Sequence, residues 1–273
     1  MKVFCTGRSG FIGSHLAGEL FRLGHDVVRR IDEDADAVVH LSAKAGIRPD
    51  KQDAAGHYEI NVAETLNLLE WCVAAKVKKF IYISSSSVYG TPARIPVVET
   101  DVTDRPLCHY AATKKTGELA CHTYHVMYGL DVAVLRLFTV YGPGQTTDMA
   151  IPYFTRLIRS GEKVPVFGDG STLRDYIYVG DAVDAIIGAL TQDHGYQEYN
   201  IGSGIPFSIM EVVRHIEEYW GKEANIMYLP MPAGEAGDNY ANIEKARRFW
   251  PGPKWKFWQG LQQYNKWLEN NKV

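Results

Sequence analysis

Tyr110-Ala111-Ala112-Thr113-Lys114 sets a phenol and an ammonium one helical turn apart, on one face of any helix that spans them. A phenol ordinarily titrates near pH ~10, and a neighbouring cation favours its ionised form, so this spacing can make Tyr110 a proton acceptor near neutrality. The run Phe80-Ile81-Tyr82-Ile83 leads into Ser84-Ser85-Ser86-Ser87. It places hydroxyls at the carboxyl end of a strand, the edge where open α/β sheets bind ligands. Thr6-Gly7-Arg8-Ser9-Gly10-Phe11-Ile12-Gly13 follows a short apolar strand and opens a helical pattern. Glycines in that place let backbone N–H groups and a helix N-terminus approach a pyrophosphate. Each feature alone is common: surfaces carry Tyr and Lys at this spacing, and loops carry serines and glycines. Their order along the chain gives them joint meaning.

The elements that must position these groups follow from periodicity. Val3-Phe4-Cys5, Ala37–Leu41, Phe80–Ile83 and Val132–Val140 read as strands, and helical patterns cover 11–23, 59–75 and 109–128 between them. This alternation predicts an α/β, Rossmann-type, doubly wound parallel sheet. From Tyr141 the pattern loosens into Gly/Pro-rich loops and helices near 150–160, 208–221 and 259–270, which predicts a smaller C-terminal substrate-binding lobe. We divide the chain into a nucleotide-binding domain, 1–140 with 177–200, and a substrate lobe, 141–176 with 201–273.

One stretch conflicts with that plan. Asp26-Val27-Val28-Arg29 reads as a second strand, yet only about seven residues separate it from Ala37, and a parallel crossover takes roughly a dozen or more. About 30 residues are therefore expected to be absent after Arg29, and a break in the chain between residues 28 and 33 would mark the place. The acid that meets an adenosine ribose cannot be counted across such a gap. Asp32 stands at a suitable count, while Arg29 or Arg30 could instead meet a 2′-phosphate, so sequence leaves NAD and NADP open.

The 273 residues are 46% hydrophobic with a formal net charge of -3. That is enough to bury a full core, with no run of Lys and Arg to attract nucleic acid. No apolar run reaches 18 residues and the N-terminus turns at once into the glycine loop, so we expect a cytoplasmic protein without a membrane span. Cys5, Cys72, Cys108 and Cys121 lack disulfide or zinc spacing, and His122 and His125 lack a third ligand, so no metal is expected. Trp250, Trp255, Trp258 and Trp267 are read as packing of the small lobe.

Together with Arg136-Leu137-Phe138-Thr139-Val140-Tyr141-Gly142-Pro143, Gly168–Val179 and Tyr199-Asn200-Ile201-Gly202, these motifs resemble the NAD-dependent nucleotide-sugar epimerase/dehydratase family of extended short-chain dehydrogenases/reductases. The resemblance spans nearly the whole chain. It implies Ser85, Tyr110 and Lys114 as the catalytic set, with Ser85 on the sugar 4-oxygen and Lys114 on the nicotinamide ribose. It further implies NAD held by Gly7, Gly10, Phe11, Ile12, Gly13, Leu41, Ala43, Asn61, Tyr110 and Lys114. Substrate would meet Ser86, Ser87, Thr139, Thr146, Arg174 and Asp238, with Arg174 on the diphosphate and Asp238 on the nucleotide ribose. Arg48 could also face a phosphate, and Glu235 stands where relatives often carry Arg or Gln. A homodimer through helices 59–75 and 109–128 is implied as well.

In this family, dehydratases and decarboxylases carry a carboxylate just after the catalytic hydroxyl; here Ser86 and Ser87 stand there. That favours C4 epimerisation of a UDP-sugar through a transient 4-keto intermediate. The segment Phe138–Ala150 is most similar to UDP-glucuronate 4-epimerases, with Thr146-Thr147 replacing an Arg-Pro whose guanidinium would face a substrate carboxylate. The alternatives are a UDP-glucose or UDP-N-acetylhexosamine 4-epimerase, then a UDP-glucuronate decarboxylase or 4,6-dehydratase, then a non-catalytic NAD-binding protein.

Overall fold

Alternate residues of the central strands are apolar on both faces, so the strands must be covered from both sides. The computed structural model describes residues 1–28, 30, 34–46, 53–232 and 236–271. In chain order these form β1 (Lys2–Thr6), α1 (Phe11–Arg22), β2 (Asp26–Val28), β3 (Ala37–His40), α2 (Ala54–Tyr58), a π turn (Glu59–Ala63), α3 (Glu64–Ala74) and β4 (Lys79–Ser85). A 3₁₀ turn (Ser86–Tyr89), α4 (His109–Tyr128), β5 (Asp131–Leu137), β6 (Thr139–Tyr141), α5 (Ala150–Ser160), β7 (Lys163–Phe167) and β8 (Leu173–Tyr178) follow. The chain continues through α6 (Val179–Leu190), β9 (Tyr196–Ile201), β10 (Pro206–Ser208), α7 (Ile209–Trp220), β11 (Asn225–Leu229) and α8 (Phe257–Asn271).

The main sheet has six parallel strands in the order β2-β1-β3-β4-β5-β9. Ile81 and Ile83 face a core shared with Leu16 and Leu20 of α1 and with α6. Phe80 and Tyr82 face the opposite core, with Leu68 and Leu69 of α3 and Cys121 and Tyr124 of α4. This period-two division fixes the register, because a slip of one residue would exchange the two faces. A third core gathers α5, α7 and α8 around Val164, Val166 and Tyr176 in the second lobe. There, sheets β10-β8-β6 and β11-β7 are formed.

Three details depart from the sequence reading. The run Val132–Val140 is two strands, since Phe138 leaves the main sheet and Thr139 starts the smaller one. Trp250 is 1% exposed inside the main-sheet core rather than the small lobe, while Trp255 and Trp258 are exposed and Trp267 alone of the four packs on the small-lobe core. Helix α6 also escapes the periodicity, because it is apolar nearly all round where it is buried against the sheet.

A doubly wound sheet ordinarily carries its third strand outside the second. Here the third strand, β3, returns to the far side of β1 and leaves three-residue β2 as the edge. The expected break between residues 28 and 33 falls at Arg29 and 31–33, outside the described residues, as do Asp32, Arg48 and Glu235.

Candidate active site

Three consecutive residues of β4 are hydrogen-bonded to α4. The Tyr82 hydroxyl donates to the Lys114 carbonyl (3.4 Å), Lys114 Nζ donates to the Ile83 carbonyl (2.7 Å), and Ser84 Oγ donates to Glu118 Oε1 (2.7 Å). Ser85, the last residue of β4, lies close enough to the Tyr110 phenol to favour its ionised form. Tyr110, Lys114 and Glu118 are successive turns of one helical face, so the structure brings Ser85, Tyr110 and Lys114 together as the sequence spacing requires. Ser85 also caps the 3₁₀ turn by accepting from the Ser87 amide at 3.1 Å, which presents Ser86 and Ser87 beside it. Ser87 Oγ is buried without a protein partner.

The electrostatics differ from the sequence expectation in one respect. Lys114 Nζ lies 6.0 Å from the Tyr110 ring centre and is spent on the Ile83 carbonyl. Burial pushes the Tyr110 phenol up and only neighbouring Ser85 opposes it, so Lys114 does not by itself prepare the phenolate. Burial in turn pulls the Lys114 ammonium down to about 8. An unfolded lysine still holds its proton between pH 8 and about 10.4, so the burial cost of Lys114 is fully present below pH 8 and is relieved as pH rises through that window. Lys114→Met should therefore stabilise the fold more at pH 7.5 than at pH 10; thermal melts followed by circular dichroism at both values test this, and a pH-independent difference refutes it.

The glycine loop is built for an anion. Gly10 starts α1 with no side-chain cap and no acid in the first turn, so the first amides of the helix, at Phe11, Ile12 and Gly13, are available to a phosphate. Its turn is held by the Gly10 amide on the Gly7 carbonyl at 2.9 Å. Leu41 and Ala43 follow β3 as half-buried residues beside this loop, and the Ser42 amide donates to Thr6 Oγ1 at 3.1 Å. These residues fit a dinucleotide. Asn61 is also engaged within the protein. Its side chain grips the backbone of Lys44 in both directions (2.7 and 3.0 Å) and donates to Thr113 Oγ1 (2.9 Å), so it ties the loop after β3 to α4.

In the second lobe, Thr139 is half-buried at the head of β6 and Thr146 is exposed beyond Gly142–Gln145. His15 of α1 hydrogen-bonds the Pro143 carbonyl at 2.8 Å, joining that loop to the glycine-loop helix. Arg174 donates to the carbonyls of Gly237 (2.7 Å) and Ala236 (2.8 Å), and Asp238 Oδ1 accepts from the Leu173 amide (2.9 Å). The two residues brace the same loop. Sequence reasoning missed its neighbour Asn239, which is 8% exposed, donates to the Ser86 carbonyl at 3.4 Å and leaves Oδ1 buried and unpartnered. It missed buried Glu118 and Arg136 too. Among the described residues, no group of three or more His, Cys, Asp or Glu side chains could hold a metal, and no helix is long and apolar enough to cross a membrane.

A family model described as the NAD dependent epimerase/dehydratase family matches residues 29–202. The UDP-glucuronate 4-epimerase 3 of Arabidopsis thaliana is 36% identical over 328 aligned residues, taking in 97% of this chain and 76% of its own length. Among solved structures, MoeE5 in complex with UDP-glucuronic acid and NAD is similar with a TM-score of 0.93 and 32% identity, covering 99% of this chain and 100% of the other. UDP-glucose 4-epimerase from Thermotoga maritima, with UDP-glucose, reaches a TM-score of 0.92 at 27% identity with both chains fully covered. The 328-residue alignment is longer than this chain of 273, so it crosses positions the chain lacks. The family match begins at residue 29, just past β2.

Proposed function

The chain belongs to the NAD-dependent epimerase/dehydratase family, and from that premise we propose that it inverts C4 of a UDP-linked sugar, with UDP-glucuronate the first candidate. The observation that carries this is the Ser85–Tyr110–Lys114 constellation followed by two hydroxyls, Ser86 and Ser87, where a dehydratase or decarboxylase would place an acid.

In this reading Ser85 orients the sugar 4-hydroxyl and Tyr110 accepts its proton as the 4-keto sugar forms. When bound, NAD supplies a hydride acceptor, and the positive charge of its nicotinamide favours the phenolate that burial alone disfavours. Lys114 stands ready for the nicotinamide ribose, anchored by the Ile83 carbonyl. Gly7, Gly10, Phe11, Ile12 and Gly13 hold the pyrophosphate, with Leu41 and Ala43 alongside. Ser86, Ser87 and Thr139 bond the sugar, and the loop braced by Arg174 and Asp238 meets the nucleotide. Once the ketone has turned over in the pocket to present its other face for reduction, Tyr110 would give the proton back, yielding the epimer with no net consumption of cofactor.

Purified protein with NAD should convert UDP-glucuronate to its C4 epimer, resolved by chromatography; a decarboxylated or 4-keto-6-deoxy product overturns epimerisation. Turnover of UDP-glucose alone moves the chain to the neutral-sugar branch, a reading favoured by the missing guanidinium at Thr146. Restoring it gives a second test. Thr146→Arg should lower KM for UDP-glucuronate about tenfold, the scale of one charge-assisted hydrogen bond, and leave that for UDP-glucose unchanged. Equal effects on both substrates would place Thr146 away from the carboxylate. We also propose a homodimer through α3 and α4, where Leu66, Leu119, Val126 and Met127 are exposed; light scattering at the monomer mass refutes it.

A further inference from the structure

Arg136 and Glu118 are 2% and 1% exposed, on β5 and on the helix that carries Tyr110 and Lys114. The guanidinium meets the carboxylate through two bonds, Nε to Oε1 at 2.9 Å and Nη2 to Oε2 at 2.8 Å. Burial opposes the charge on Glu118 and Arg136 outweighs it, leaving its carboxyl below the usual range. Desolvating two charges is costly, and packed apolar residues in such a place are often as stable or more so. Stability is therefore a poor explanation for the pair.

Its geometry supplies a better one. In the parallel register Arg136 of β5 lies directly beside Ser84 of β4, and both reach the same carboxylate on α4. That carboxylate is one turn beyond Lys114 and two beyond Tyr110. The third guanidinium nitrogen, Nη1, donates to the Tyr89 hydroxyl and to the Glu99 carbonyl, each at 3.0 Å. Tyr89 closes the turn that carries Ser86 and Ser87, and its hydroxyl donates to Asn200 Oδ1 at 2.6 Å. One planar fork thus grips the helix that carries Tyr110 and Lys114 with one edge, and the serine turn with the other.

We propose that Arg136, clasped to Glu118, is a positioning residue that holds α4 at the height on β4 where Tyr110 meets Ser85, and fixes the serine turn relative to both. A slide of α4 by one residue moves Tyr110 by about 1.5 Å, enough to lose that contact. Misplacement of about 1 Å can cost about 10²-fold in rate.

This inference rests on the epimerase reading, and the experiment separates the two. In the first arm Glu118→Leu/Arg136→Met removes both charges and avoids leaving one buried alone. In the second, Arg136→Lys keeps the charge but cannot hold Glu118 and Tyr89 together. Melting temperature, NAD affinity by calorimetry, and kcat and KM for the UDP-sugar are measured for each. The expected result is kcat lower by about 10- to 100-fold in both, with KM and NAD affinity within about threefold. A folded double variant with kcat within twofold of the parent overturns the inference while epimerisation stands. Should the double variant not fold, Arg136→Lys with parental kcat overturns it equally. Absence of epimerisation in the parent protein removes the function reading, and this inference with it.

Discussion

Tyr110→Phe should lower kcat by about 10²- to 10⁴-fold, the usual worth of a positioned general base, while NAD and UDP-sugar still bind. The phenylalanine ring keeps the packing at the head of α4 and loses only the phenolic oxygen beside Ser85. The effect should be this large because the neighbouring titratable groups are already committed. His40 hydrogen-bonds Thr6 Oγ1 at 2.7 Å and Thr65 Oγ1 at 2.8 Å, and burial, then Lys114, drives its titration down to about 3. It stays neutral across the working range. Glu118 is ionised and taken up by Ser84, Lys115 and Arg136. Lys114 has its ammonium on the Ile83 carbonyl, 6.0 Å from the Tyr110 ring centre. Rates measured with NAD saturating, together with calorimetric NAD affinity, separate loss of chemistry from loss of binding. A variant retaining more than a tenth of parental kcat would mean that some other group takes the 4-hydroxyl proton.

How much of the site is legible in the sequence depends on the distance over which each feature is encoded. The glycine loop and the Tyr110–Lys114 pair are written within eight residues or fewer, where helical and turn geometry translate spacing directly into position. The parallel sheet and its order of motifs are legible for the same reason. Arg136–Glu118 is not, because it depends on β5 lying beside β4 in one register, with α4 above both. Asn61 shows the same limit: the resemblance gives it a place beside the cofactor, and only the folded chain reveals its side-chain bonds to Lys44 and Thr113. Trp250 groups with its aromatic neighbours along the chain and belongs to a different core. The expected loss after Arg29 follows from crossover length alone. The place where it would show lies outside the described residues.

The largest effect on cofactor binding is expected from a single methyl group. At Gly13 an added Cβ would stand 2.1 Å from the Gly7 carbonyl oxygen and 2.7 Å from Arg8 Cα, and both obstacles are backbone. Neither can rotate away. The Gly7 carbonyl is already fixed by accepting from the Gly10 amide, and Gly7 has φ +64° with its own Cβ position 2.9 Å from the Ser42 amide nitrogen. The turn is thus pressed between α1 and the residues after β3, and relief requires the whole loop to shift. Such overpacking costs about 1–3 kcal/mol or more, and here the shift carries the first amides of α1 away from the pyrophosphate. Gly13→Ala should weaken NAD binding by about 100-fold, the factor that roughly 2.7 kcal/mol corresponds to. Gly18→Ala is the matched control: it lies on the same helix, is exposed and has nothing within 4 Å of an added Cβ. It should leave NAD affinity unchanged and stabilise α1 by about 0.5–1 kcal/mol. Calorimetric titration of both variants decides the matter, since equal affinities would mean that the turn can move without cost and that the pyrophosphate is held elsewhere.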